Sequence, residues 1–141
     1  MRHRARVWVA ALAMPAALAC RGGEPEPGYR AMTDDLSLRI IAEPSPPHAR
    51  ERTSYRVVVR DKDSGQPIER GEGMIYASNR DQANIGDALL PGAEVGSYYG
   101  RLSYLTAGTW AVAIQFRRDS TKPMQKIEWI QEVGGERPGT P

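Results

Sequence analysis

Cysteine, histidine and long apolar runs are what this chain has least of. Of its 141 residues only Cys20 is a cysteine, so no internal disulfide can form and a bridge-stapled fold is excluded. His3 and His48 are the only histidines. His48 stands in "SPPHARER", with no Gly-x-Ser-x-Gly elbow in the chain, which removes the usual base and nucleophile of a hydrolytic triad. No apolar stretch reaches the roughly 20 residues that a membrane-crossing helix needs. No window of 12 or more residues carries a convincing helical stripe, and no basic stripe with interleaved aromatics supports nucleic-acid binding.

What is present is a soluble composition, 40% hydrophobic and 26% charged, with a positively charged start. "RHRAR" precedes "VWVAALAMPAALA", which ends in small residues; this is the layout of an export signal over residues 1–19. The formal charge of +2 belongs to that leader. Taking Arg2, Arg4 and Arg6 from the 19 Lys+Arg leaves 16 against 17 Asp+Glu, a net −1.

The end of the leader reads two ways. Ala17-Leu18-Ala19 suits ordinary signal peptidase, with cleavage between Ala19 and Cys20. The same run followed by Cys20 resembles a bacterial lipobox, in which the thiol is acylated and the chain is cut before it. Ala17 stands where a lipobox has a larger side chain. We read Cys20 as the lipidation site; the alternative is a bystander or intermolecular thiol.

Residues 20–34, "CRGGEPEPGYRAMTDD" less its last residue, are rich in Gly, Pro and Glu and read as a flexible tether. Residues 134–141, "GGERPGTP", read as a fraying tail. Between them, over 35–133, the apolar period is two. Leu36, Leu38 and Ile40 alternate with polar residues, as do Tyr55, Val57 and Val59. Residues 73–78 form a third strand. Tyr98, Leu102 and Tyr104 share one face, and Trp110, Val112, Ile114 and Phe116 line the strongest strand. Ile127, Trp129 and Val133 mark the last. Residues 79–90 are ambiguous between one helical turn and a short edge strand at 88–90. Short strands joined by Gly- and Pro-rich turns predict an all-β, immunoglobulin-like antiparallel β-sandwich of about seven strands.

Four segments carry a family resemblance: "DSGQPI" from Asp63, the small-residue strand after it, "GSY" at 96–98, and "AGTW" at 107–110 leading into "AVAIQF". The domain resembles the small bacterial YtkA-like and FixH-like domains. That resemblance implies an immunoglobulin-like sandwich and an association with copper-oxidase assembly, cation handling or metal efflux; it implies no ligand set. Glycines before the tyrosine and the tryptophan predict tight turns with positive φ, and Tyr98, Tyr104 and Trp110 are expected to cap the core with their polar tips on backbone partners.

Candidate chemistry is sparse. Met32, Met74, Met124, His48 and an unacylated Cys20 are the soft-metal donors, but no His-x-Met, Met-x-Met or Cys-x-x-Cys pair occurs. Met74 and Met124 read as core or strand-end fillers and His48 as a solvated residue in a proline-rich loop, so no metal ligand and no cofactor is assigned. Asp61 and Asp63 in "DKDSG" lack the later glutamate of a calcium loop and read as a turn held by backbone amides. Ile41, Val58, Tyr99 and Ile130 point outward by alternation and are candidates for an interface. The sequence therefore predicts a non-catalytic, exported, lipid-anchored accessory module of the cell envelope, facing the periplasm or cell exterior. Its expected partners are the membrane, through the anchor, and an envelope protein; nucleic acid is not expected. The alternative is a copper-handling accessory protein.

Overall fold

The computed structural model describes residues 27–139. Eight strands follow in chain order: β1 (Tyr29–Met32), β2 (Leu36–Glu43), β3 (Arg52–Asp61), β4 (Glu72–Ser78), β5 (Asn84–Pro91), β6 (Ser97–Ser103), β7 (Gly108–Arg117) and β8 (Gln125–Val133). Every strand pairs antiparallel with its neighbours, and the described residues contain no helix. The order is β1-β2-β3-β6-β5-β4-β7-β8, a single sheet. It curls almost to closure and leaves a seam between β1 and β8. The strands thus number eight rather than about seven, and they share one barrel-like sheet rather than two separate ones.

The continuity depends on β5. It pairs with β4 through residues 84–89 and with β6 only through Leu90 and Pro91, so one strand serves both halves. This is the segment left ambiguous by its sequence. Asn79 turns the chain: its Oδ1 accepts from the backbone N–H of Asp81 and of Ala83, both at 3.0 Å, an Asx turn that reverses direction instead of starting a helix. Leu89 is then the one β5 side chain that is fully buried.

Inward-facing residues of both halves meet in one core, with Trp110, Tyr55, Tyr98, Tyr104 and Phe116 as its largest fully buried members. Tyr98 packs edge-on against Phe116 and Tyr104 edge-on against Trp110, at 4.9 and 5.2 Å between ring centroids. The polar tips are satisfied. Tyr98 Oη donates to Ile68 O at 2.5 Å and accepts from Gly71 N at 2.9 Å, while Trp110 Nε1 donates to Thr106 O at 3.0 Å. Tyr104 departs from the expectation of a backbone partner: its hydroxyl meets that of Tyr55 at 2.5 Å. Burial pushes the Tyr55 phenol up to about 12 and raises that of Tyr104 as well, so both are neutral phenols.

Both flanks are more ordered than their composition predicts. The second half of the expected tether forms β1, paired with β2 from Tyr29↔Ile40 to Met32↔Ser37. Four residues are too few to reveal a period of two. The expected tail is pinned at its start: Ala49 N donates to Gly134 O and Gly134 N to Pro47 O, at 2.9 and 2.8 Å. Arg137 then holds Glu51, its Nε 2.8 Å from Oε2.

The far end of the sheet is closed by a charge cluster. Arg118, just after β7, donates from Nε to Asp35 Oδ2 at 2.8 Å and from Nη2 to Asp61, while Gln125 Nε2 donates to the other oxygen of Asp35. Asp61 Oδ1 also accepts from Ser64 N and Asp63 N, at 2.7 and 3.0 Å, as the turn reading requires. The Ser64 amide, followed by Arg118, holds the Asp61 carboxyl well below the usual range, and Arg118, followed by Gln125, lowers that of Asp35. Carboxyls depressed in the folded state stabilise fully above their unfolded value of about 3.9 and lose that contribution as pH falls through the lower folded values. The thermal midpoint should accordingly drop in acid below about pH 4. Arg118→Ala should flatten that acid limb, modestly because the groups are partly solvated. An identical acid limb in the variant would show that the cluster carries none of it.

Candidate binding cleft at the open seam

β1 begins at Tyr29, opposite Ile40, whereas β2 continues to Glu43. Past that point, among the described residues, no strand lies between the β2 edge and β8, and a cleft of about 310 Å³, entered by Pro27 and Gly28, opens there. Tyr29, Ile41 and Ala42 line one side, Trp129 and Gln131 the other, and Tyr55 the floor. The chain reaches it through Gly28, φ +143°, where a Cβ would stand 2.8 Å from Ile40 O and 3.0 Å from Ile41 Cγ1. Only glycine permits so close a crossing of β2.

The cleft is aromatic on both sides. The Trp129 ring lies 5.6 Å from Tyr29 and 6.5 Å from Tyr55, centroid to centroid, both tilted. Trp129 faces inward as its alternation implied and packs half-buried against the core at the seam. Its neighbour Ile130 is 66% exposed on the outer face of β8, an apolar side chain beside an aromatic opening.

The other outward candidates divide. Ile41 lines the cleft. Tyr99 is exposed but its ring sits over Gly92, where a Cβ would come within 2.2 Å of Cε2. Val58 is buried although it faces outward: Arg39 stands opposite, and Arg56 and Arg60 lie two residues either side, so long aliphatic stems cover it. The sequence reading missed Tyr29, whose only signal was an aromatic residue inside a Gly/Pro-rich spacer.

The soft-metal donors do not converge. His48 bridges to Gly134, just past the end of β8, and its Nδ1 donates to Gly135 O at 3.0 Å. Met124 precedes the start of β8, nine residues long, so the two lie at opposite ends of a strand of roughly 30 Å at about 3.3 Å per residue. Met32 is exposed at the end of β1, and Met74 projects outward from β4 opposite Gln115. No group of three or more His, Cys, Asp or Glu side chains among the described residues could hold an ion. Ala19 and Cys20, the cleavage and lipidation candidates, lie outside the described residues.

A second, wider depression of about 730 Å³ lies between residues 67–72 and 118–121. Two of its lining charges are held from outside it: Glu72 by Arg117, through Nε and Nη2 at 2.9 and 2.6 Å, and Arg118 by the end cluster.

No protein-family model matches the sequence, and no curated protein matches it. The fold does have solved counterparts. A DUF4426 family protein of Pseudomonas aeruginosa PAO1 superposes with a TM-score of 0.60 at 14% identity, over 78% of this chain and 97% of that one. FetP of uropathogenic Escherichia coli strain F11, expressed recombinantly in the periplasm of E. coli, gives 0.57 at 10% identity, over 78% and 95%. A copper-bound variant of FetP from the same strain gives 0.55 at 9% identity, over 80% and 94%. At such identities the likeness is one of fold, an all-β architecture shared along nearly the whole length of each counterpart.

Proposed function

We propose that this chain is an exported, lipid-anchored, non-enzymatic binding module of the bacterial cell envelope that engages its partner at the aromatic cleft between β1 and β8. The observation that carries the reading is the seam itself, where Tyr29 and Trp129 gather aromatic surface between β1 and β8, the end strands of the sheet among the described residues. An extended segment adding to the β8 edge would bury these side chains and satisfy the edge amides at once. Export rests on the leader at 1–19 and anchoring on Cys20. We read the sheet as immunoglobulin-like: the runs β2-β3-β6 and β4-β7-β8 follow the A-B-E and C-F-G strand orders of that fold, with β5 shared between them.

Copper handling is the second reading, favoured by the copper-bound FetP variant among the fold counterparts. Its weakness is geometric, since two or three soft donors must meet at one ion and His48 lies far from Met124. A Cu(I) titration of the mature protein against His48→Ala and Met74→Ala variants separates the two readings. The binding-module reading expects no stoichiometric site that depends on those residues.

The anchor and the cleft have separate readouts in one preparation. Wild-type protein should carry acyl mass on Cys20 and fractionate with membranes, and Cys20→Ala should lose both. Wild-type protein that is soluble and unmodified would end the anchor reading. Trp129→Ala with Ile130→Glu, at an unchanged thermal midpoint, should lose the envelope protein that co-purifies with wild type. Retention of the same partner would remove the cleft from its role.

A further inference from the structure

The net charge of the mature chain conceals a segregation that strand order creates. On the outer face of β1-β2-β3-β6, alternation and register bring together Arg30, Arg39, Arg52, Arg56, Arg60 and Arg101. Arg30 stands directly opposite Arg39, and Arg101 opposite Ser54, one outward position from Arg52. Like charges placed side by side on a sheet face repel, so the face presents a concentrated positive charge. Among the described residues three acids stand near them: Glu43 lies on the β2 end of the face, Glu94 pairs with Arg56 at 3.2 Å, and Asp87 accepts from the backbone N–H of Arg101 at 2.8 Å. Arg30, Arg52, Arg60 and Arg101 make no ion pair among the described residues, although Arg60 donates to Gly65 O at 3.0 Å. The outer face of β4-β7-β8 is the opposite case. Its cations, Arg117 and Lys126, are paired with Glu72 and Glu128, and Glu132 accepts from Thr109.

We infer that the arginine face docks against an anionic lipid surface and sets the orientation of the domain on the membrane. This rests on the anchored reading of Cys20 for its biological setting. Two features favour a planar lipid surface over a soluble anion. The arginines are spread across four adjacent strands instead of converging on a cavity, which matches many phosphates in a plane rather than one ligand. The leash also leaves little freedom: seven residues from Cys20 to Pro27 extend at most about 25 Å. That leash leads directly into β1, the edge strand of this same face.

The test uses the full mature chain carrying Cys20→Ala, so that no acyl group contributes. It should sediment with phosphatidylcholine vesicles containing about a third phosphatidylglycerol in low salt, release in high salt, and ignore pure phosphatidylcholine. Arg52→Glu with Arg101→Glu should weaken vesicle binding about tenfold or more. The neutral pair Arg52→Gln with Arg101→Gln should fall between, and Lys122→Glu, in the loop after β7, should change nothing. Equal binding to neutral vesicles, or indifference to the charge reversal in variants that keep their thermal midpoint, would overturn the inference. So would an oligonucleotide that competes the protein off the vesicles, which would assign the face to a soluble polyanion. A negative vesicle result leaves the acyl-mass measurement on Cys20 standing, and an unmodified Cys20 leaves the vesicle result standing, so the two failures are distinguishable.

Discussion

Trp110→Ala should remove about 3–5 kcal/mol of stability, a large part of the roughly 5–15 kcal/mol available to a domain of this size. Trp110 is fully buried, its ring meets Tyr104 edge-on at 5.2 Å, and its Nε1 is bonded to Thr106 O. Alanine would leave a cavity bordered by Tyr104 in a sheet whose two halves are joined through only two residue pairs of β5 and β6. The neighbours cannot collapse into it without moving strands. Trp110→Phe keeps a ring against Tyr104 but strands the Thr106 carbonyl, and should cost less. Urea unfolding followed by far-ultraviolet circular dichroism measures both. A loss for Trp110→Ala below about 1.5 kcal/mol would place the centre of the core elsewhere.

Two glycines with positive φ should respond differently to alanine. Gly96, φ +81°, opens β6; its carbonyl accepts from Val59 N at 2.8 Å, and a Cβ would stand 2.7 Å from Pro67 Cβ and 3.1 Å from Val59 O. Gly108, φ +112°, opens β7 with nothing within 4 Å of the corresponding position. Gly96→Ala therefore meets both backbone strain and overpacking, about 3 kcal/mol or more together. Gly108→Ala meets strain alone, about 1–3 kcal/mol. Asparagine tolerates positive φ better than alanine, so Gly108→Asn should recover part of the loss while Gly96→Asn should not. Equal losses for the two alanine variants would mean that Pro67 yields freely and that its contact with Gly96 does not order the segment.

How much of this was legible beforehand follows from the range of each signal. The period-two strands are local, and Tyr98 with Leu102, or Trp110 with Phe116, announced their inward faces correctly. Gly96 and Gly108 were legible for the same reason, as a tight turn leaves its mark on the residue that makes it. β1 was not, because four residues in a Gly/Pro-rich stretch show no period; its pairing energy comes from β2. β5 was not, because an exposed strand with one buried side chain has almost no hydrophobic pattern, and Asn79 decided it by bonding Asp81 and Ala83. The cleft was partly visible: Ile41 was singled out as an outward apolar residue, while Tyr29 and the seam that brings Trp129 to it were beyond reach.

By itself the sequence determined the strongly periodic strands, their inward faces and the absence of any internal disulfide, since each is a property of single residues or of neighbours along the chain. Tertiary structure alone decided which outward faces became neighbours. Alternation says that Arg30, Arg39, Arg52, Arg56, Arg60 and Arg101 point out of their strands, but only the order β1-β2-β3-β6 puts them on one surface. The same ordering carried His48 away from Met124 and left β1 and β8 unjoined. Pairing over long sequence separations is set by the fit of the whole core, which no local window records.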